Sequence, residues 1–529
     1  MVQEGLADEI THTSVFRTAG VQLLDGASFQ VVVSNAFGVV TGAVTQLPPV
    51  HYVNVTNGAP VSPFSSWATA ATNIQDAIDV ASSWSAILVT NGTYSTGGRV
   101  SAGGASNRIC VLRPMTISSV NGPGATIIRG AWDPVAANGP LEVRCAYLAD
   151  DVRLTGFTLE GGASINSEGY GGGVAGNSTK AIVHDCLVRS NFASFGGGGH
   201  SVTFDRCRLV GNSATFAGGG AYSATIQSSL VRGNDASSGG GGHSCTLVNS
   251  TIVENSAHLG GGLGGGTLNR ARNCIIYNNR RPPTGEISNW ADYGGGITYS
   301  CTTPLPVGGV GNISADPQIL DGQHLAATSP CIGAGSALYA NGTDLDGQPW
   351  SNPPPMGCDQ FVEADNVGPL VLDITLGVSG SVIVEDRNTS IYAALTGRAS
   401  SAVLDFGDGT AITNMSLVLM YHAWTNPGDY TITFTAYNLD NPAGVSKSIG
   451  VTVIPLLSPA ISNAAWTSNG FSLGFQSQPG VVYTLQQTTN LAPPVVWSTV
   501  TNIVGEGTYQ TLTDNSATNQ MRFYRLRLL

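Results

Sequence analysis

Asp185 and Asp205 stand in similar surroundings, with His184 beside the first and Arg206 beside the second. Two carboxylates within about 5–10 Å are what glycoside hydrolysis uses. A polysaccharide lyase needs more: several carboxylates on one face to hold Ca²⁺, and an Arg or Lys base. No third acid joins this pair, because the matching positions further along carry Gln227, Ser228, Val248 and Asn249. Asp185 and Asp205 are therefore expected to be solvated bend residues, and no catalytic residue is assigned. Arg189 and Arg232 share a position in the same pattern with Val210 between them, and are expected on the surface.

A second set is His200, Tyr222 and His243, each just after a run of glycines. If they stack on successive rungs of a coil, two rungs of about 4.8 Å separate the histidines by about 10 Å, too far for one metal ion. Such rings are either a ladder that stiffens a corner or a surface that binds sugar. Asp344-Leu-Asp346-Gly is a short acidic turn, an incomplete version of a Ca²⁺ loop, so Asp344 and Asp346 are the metal candidates. Asp405 and Asp408 are expected to fix a turn. Cys331 and Cys358 flank a closing stretch and are candidates to pair. Cys186 and Cys207 are expected as buried thiols in a column of small residues.

The element that must position these residues is an internal repeat. The segments 182–191, 203–212, 225–234 and 246–255 align, each ending in asparagine, and a looser copy ends at Asn279. Asn191, Asn212, Asn234, Asn255 and Asn279 follow one another at 21, 22, 21 and 24 residues, and glycine runs lie between them. One apolar column holds Val183, Phe204, Ile226 and Leu247. A second holds Val188, Leu209, Val231, Ile252 and Ile276. A small-residue column holds Cys186, Cys207, Ser229, Ser250 and Cys274. Each repeat reads as two short strands with a bend between them. About 22 residues then make one rung of a coil of parallel strands, with the asparagines as an internal ladder. Before the repeat, Ile74, Ala77, Ile78 and Ala81 have helical spacing, with Thr72 or Asn73 as cap.

Composition sets the outer bounds. A chain of 529 residues is long for one domain. With 11% charged residues it is not a coiled coil, and with 42% hydrophobic residues it is not disordered in bulk. No run of 18 apolar residues suggests a membrane span. The net charge is −12 and the lysines are Lys180 and Lys447, so no nucleic-acid partner is expected. None of the nine cysteines forms a CxxC pair, which argues against zinc. The acidic start has no apolar core of a signal peptide, and a piece of a longer chain is the favoured explanation.

The helix, the strand after it and the Asn-plus-glycine repeat resemble the right-handed parallel β-helix superfamily of pectin-lyase-like proteins, and the repeat is similar to those of polymorphic outer-membrane proteins. The stretch from Gly311 to Asp359 resembles the closing tail of secreted bacterial proteins of this kind. Asp405-Phe-Gly-Asp-Gly409 with Tyr421-His-Ala-Trp424 and the strand from Tyr430 to Ala436 resemble a polycystic-kidney-disease (PKD) type domain. Ser28-Phe-Gln-Val-Val-Val-Ser-Asn35, with alternation at Phe29, Val31 and Val33, resembles the last strands of bacterial immunoglobulin-like domains. The C-terminal strands resemble a small sandwich that ends large secreted proteins.

The expected fold class is all-β: a right-handed parallel β-helix followed by two β-sandwich domains. The expected parts are a partial Ig-like segment at 1–48, the β-helix with its capping helix at 49–363, a PKD-like domain at 364–456 and a C-terminal sandwich at 457–529. The resemblances imply an extracellular or cell-surface structural or adhesive protein rather than an enzyme. Completion of the half Ig-like domain by a neighbouring copy would make a homo-oligomer or head-to-tail filament. The alternative is a polysaccharide-binding or polysaccharide-cleaving β-helix, a lyase or a hydrolase. No cofactor is expected, apart from Ca²⁺ at the acidic turn.

Overall fold

In the computed structural model, the described residues are 28–29, 32–35, 38–41, 45–46, 49–132, 142–165, 168–265, 270–291, 296–378, 380–416, 420–467, 470–516 and 521–528. They fall into two units. The first holds the described residues up to Ser300, with Pro304–Asn312 and Thr343–Gly347. The second holds Cys301–Thr303, Ile313–Gly342 and the described residues from Gln348 onward.

The first unit is a parallel β-helix. One rung shows the pattern: strands Ile182–His184, Leu187–Arg189, Phe192–Phe195 and Gly199–His200, after which the next rung starts at Thr203. Each strand pairs in parallel with its counterpart one rung on, which builds four sheets along the coil. Alternation along each strand sends one set of side chains inward. Val183, Phe204, Ile226, Leu247, Ala271 and Ile297 are in register in the first sheet. Val188, Leu209, Val231, Ile252 and Ile276 are in register in the second. All of these are buried in one continuous core.

Four strands per rung, not two, is a departure from the sequence expectation, and it has a physical reason. The inward column of the third strand is Ala193, Ala214, Ala236 and Ala257. The fourth strand contributes Gly199, Ala221, Gly242 and Leu263. Residues this small leave no hydrophobic alternation to read.

Each corner is turned by one residue in the left-handed region. Asp185, Arg206, Ser228, Asn249 and Asn273 turn the first corner, at φ between 46° and 53°. Next to them, the small-residue column does more than fill space. The backbone N–H of Cys207 donates to Ser229 Oγ at 2.9 Å, and that of Ser229 donates to Ser250 Oγ at 3.3 Å. A small side chain with an acceptor is what this position requires.

The second corner carries the asparagines. Asn191 Nδ2 donates to Asn212 Oδ1, Asn212 to Asn234, Asn234 to Asn255 and Asn255 to Asn279, at 2.9–3.0 Å. The file runs one step further, from Asn279 to Asn289 at 3.0 Å. Each Oδ1 also accepts from the backbone N–H of the preceding asparagine, and each Nδ2 also donates to a backbone carbonyl. Buried amides are tolerated because every such group is used.

At the start of the coil, the helix Ile74–Val80 packs against strands Val50–Val53, Ala86–Val89 and Ser106–Val111. Asn73 caps it, accepting from the N–H of Asp76. The described residues before Pro49 form two separate antiparallel ladders, Ser28–Phe29 with Thr45–Gln46 and Val32–Asn35 with Gly38–Thr41. The rest of the expected Ig-like segment, 1–27, 30–31, 36–37, 42–44 and 47–48, with Val31 among them, lies outside the described residues.

The second unit is built on largely antiparallel sheets. Strands Val371–Leu376, Thr389–Thr396 and Met420–His422 form one sheet. Val382–Val384, Val445–Ile454, Gly428–Tyr437, Ser401–Asp405 and Ala411–Thr413 form another. Both face a core around Trp424, Phe434 and Ile391. Two three-stranded sheets follow, enclosing Leu473, Phe475, Tyr483 and Leu485. All nine cysteines are buried thiols, so the structure does not pair Cys331 with Cys358. Cys331 shares a hydrogen bond with Cys301 instead.

Candidate functional site

Two places on the β-helix collect polar and aromatic side chains. The first is the corner between the first and second strands, where His184 and Asp205 are in register on neighbouring rungs. His184 Nδ1 lies 2.8 Å from Asp205 Oδ2, and its Nε2 lies 3.1 Å from Asp185 Oδ2. Arg206 grips Asp185 through two hydrogen bonds of 2.7 and 2.8 Å and donates to Thr343 Oγ1 at 2.9 Å. Expected as solvated bend residues, Asp185 and Asp205 are instead partners in one half-buried network.

Electrostatics follow from that geometry. Burial works against a charged His184, yet the two carboxylates outweigh it and raise its pKa to about 9. Burial raises both aspartates, but hydrogen bonds from His184, and from Arg206 at Asp185, carry them below the usual carboxylate range. Neither carboxyl is therefore a protonated general acid near neutral pH, the part that glycoside hydrolysis assigns to one of its two acids. Thr343 and the acidic turn reach this corner from about 140 residues further along the chain. Asp344 is buried and accepts from the N–H of Asp346 at 3.0 Å, and Asp346 pairs with Arg208 at 3.0 Å.

The second place is the glycine corner between the third and fourth strands. His200, Tyr222 and His243 stack on three successive rungs. Their ring centroids are 5.8 and 5.3 Å apart, with interplanar angles of 20° and 19°. The glycine runs allow this close stacking. At Gly218, φ is 70° and a Cβ would stand 2.3 Å from the Ala221 carbonyl. Three rings join the row that the sequence pattern did not single out. Tyr170 lies 4.5 Å from His200 and 5.4 Å from Phe195, and Phe195 lies 5.3 Å from both Phe216 and Tyr222. Trp132 packs on Phe192, which is on the same strand as Phe195, at 4.9 Å. The placement of Phe195 and Phe216 just before glycine runs was the available signal.

Burial, aided by the nearby Arg144 guanidinium and opposed by Glu168, lowers the pKa of His200 to about 4. Burial lowers His243 too. Arg144 is itself fully buried, held by Asn107 at 2.7 Å, the Gly171 carbonyl at 2.8 Å and Glu168 at 3.0 Å. The row is thus uncharged near neutral pH. Its inner rings are covered by one another, while Trp132, Tyr170 and Phe216 are 47%, 37% and 54% exposed.

No family model matches the chain, and no curated protein does. Among solved structures it is similar to the pectate lyase Pel9A, at 12% identity and a TM-score of 0.34, covering 59% of this chain and 96% of that one. It is also similar to the rice weevil pectin methyl esterase, at 12% identity and a TM-score of 0.23, covering 58% and 85%. A third is a rhamnogalacturonan lyase, at 14% identity and a TM-score of 0.22, covering 48% and 67%. All three are enzymes by name, and on this finding the expectation that the chain is not an enzyme is withdrawn.

Proposed function

We propose that the chain is a polysaccharide-acting β-helix protein that engages its ligand along the ring-bearing face. The observation that supports this reading is the run of contacting rings over successive rungs, with Tyr170 and Phe216 open to solvent and the Trp132–Phe192 pair beside it. A sugar ring has an apolar C–H face and a rim of hydroxyls. An exposed aromatic ring buries the first, and neighbouring polar groups take the second. Tyr170 and Phe216 both contact Phe195, so their exposed surface is continuous rather than scattered, and continuous exposed apolar surface marks interaction sites. The filament reading rests on residues 1–48, and no observation among the described residues favours it.

The test is electrophoresis of the purified protein through gels containing a panel of acidic and neutral polysaccharides, with parallel assays for new reducing ends and for unsaturated products. Retardation by at least one polysaccharide, lost in a Tyr170→Ala/Phe216→Ala double variant that remains folded, is the expected result. Neither retardation nor product with any member of the panel would overturn the reading.

A further inference from the structure

Over the four rungs from Ser190 to Gly265, the strands that carry the rings and those that carry the arginines are different; one rung further the third strand carries Arg280 and Arg281, and Arg144 lies buried beside Tyr170. In the four rungs from Ser190 to Gly265, the second-corner, third-strand and fourth-strand segments are 190–202, 211–224, 233–245 and 254–265. These segments contain neither Arg nor Lys, and their charged residues are Asp235 and Glu254. The arginines of this region lie on the second strands and the corner before them. There Arg189 pairs with Glu160, Arg206 with Asp185, Arg208 with Asp346 and Arg232 with Glu254. Glu160 is held from the other side by Arg129 as well, at 3.0 Å.

We propose that the ring-bearing face takes a neutral polysaccharide, with one sugar ring stacked on Phe216. This rests on the polysaccharide reading above and narrows it to a ligand class. A polyuronate carries a carboxylate on every sugar and needs cations, from the protein or from bound metal, to offset desolvation and repulsion. Beside Phe216 the third and fourth strands supply none: Arg280 and Arg281 stand on the third strand three rungs further on, Arg144 is buried and paired with Glu168, and the chain as a whole carries a net charge of −12, which repels a polyanion at long range.

The local geometry suits a sugar ring. One side of Phe216 meets Phe195. On the following rung, the third strand offers Ser237 and Ser238, and Phe216 is 54% exposed. Leu259, half exposed, pairs with Ser238 one rung further on. Phe216 and Leu259 thus stand about 10 Å apart along the coil, two rung spacings, with small hydroxyl side chains between them. The polar groups beside this notch are the hydroxyls of Thr215, Ser237 and Ser256, the Asp235 carboxylate, to which Ser256 donates, and the exposed His258 next to Leu259. Hydroxyls, a carboxylate and an imidazole can each hydrogen-bond the hydroxyls of a sugar. The two histidines of the row add no positive charge near neutral pH, which points the same way.

The experiment measures binding of the full chain to a neutral galactan, a neutral β-glucan and polygalacturonate, each at low and high salt, for the parent and for Phe216→Ala. Phe216 is exposed, so its truncation should leave thermal unfolding unchanged. The expected result is binding to a neutral polymer that changes little with salt and weakens at least about tenfold in Phe216→Ala. Binding to polygalacturonate alone, tighter at low salt, would overturn the neutral class and leave the polysaccharide reading standing. Neutral-polymer binding unchanged in Phe216→Ala would overturn the assignment of the site. No binding to any of the three polymers would overturn this proposal, whereas the wider reading falls only with the whole panel above.

Discussion

Asn212 donates its side-chain amide to Asn234 Oδ1 at 3.0 Å, and its backbone N–H reaches the same oxygen at 2.9 Å. One oxygen thus satisfies two buried donors of the rung before it, while Asn234 Nδ2 bonds the Leu209 carbonyl and Asn255. Asn234→Ala removes all four bonds and leaves Asn212 with two unpaired buried donors. A buried polar group left without a partner costs about 1–3 kcal/mol, so a total loss on the order of 3–5 kcal/mol is expected. Urea unfolding of the two proteins measures it. A loss below about 1 kcal/mol would mean that the file is not a main source of stability.

The glycine runs make a second, separable prediction. A Cβ at Gly219 would lie 2.4 Å from the Asp235 carbonyl oxygen and 2.6 Å from that of Gly240. These are backbone atoms of the neighbouring rung, which are fixed by its own hydrogen bonds. Gly211 is the opposite case: φ is 63°, but a methyl added there would meet nothing within 4 Å. Gly211→Ala should therefore cost only the strain of a left-handed alanine, about 1–2 kcal/mol, whereas Gly219→Ala should lower the yield of folded protein sharply. Equal behaviour of the two variants in thermal unfolding would disprove the close-approach argument.

Much of the coil was legible because its columns repeat side chains that only a stacked rung can reconcile. Val183, Phe204, Ile226 and Leu247 share one inward position, and the asparagines keep a spacing close to the length of one rung. The third and fourth strands were not legible, since Ala193 and Gly199 look the same in a strand and in a loop. The charged corner was half legible. Asp185, His184 and Asp205 could be placed near one another, but their pairing depends on His184 reaching both carboxylates, and Thr343 arrives from far along the chain. The row His200, Tyr222, His243 was visible as a column. Tyr170, Phe195 and Phe216 joined it only in three dimensions, because a bulge in the third strand shifts the register between Ala214 and Ala217.

The charged corner predicts an alkaline weakness. His184 has a pKa of about 9 in the folded chain against an ordinary 6.5. Between those values the folded state holds a proton that the unfolded state releases, so stability falls as pH rises. The contribution of His184 is complete below about pH 6.5 and is lost as pH passes through about 9. The buried thiols add an alkaline trend of their own, since burial raises Cys145 and Cys274 to about 12. The informative quantity is therefore the difference between the parent and His184→Gln. The parent should lose more stability than the variant between pH 6.5 and 8.5, as read by urea midpoints. Parallel curves would show that His184 is not held protonated by Asp185 and Asp205.

The ring row predicts the opposite sign on the acid side. His200 is held at about 4, first by burial and then by the positive charge of Arg144, with Glu168 pulling the other way. Between pH 6.5 and 4 the unfolded chain takes up a proton on this side chain that the folded chain refuses, so stability falls as pH falls. His200→Phe keeps a flat ring between Tyr170 and Tyr222 and removes the titrating group. Its stability should decline less than that of the parent from pH 7 to 4.5, a range that stays above the titration of Asp185 and Asp205, both held below the usual carboxylate values. Thermal midpoints at the two pH values decide the matter. An unchanged acid slope in His200→Phe would place His200 in contact with water rather than inside the stack, and would remove the argument that the ring-bearing face stays uncharged.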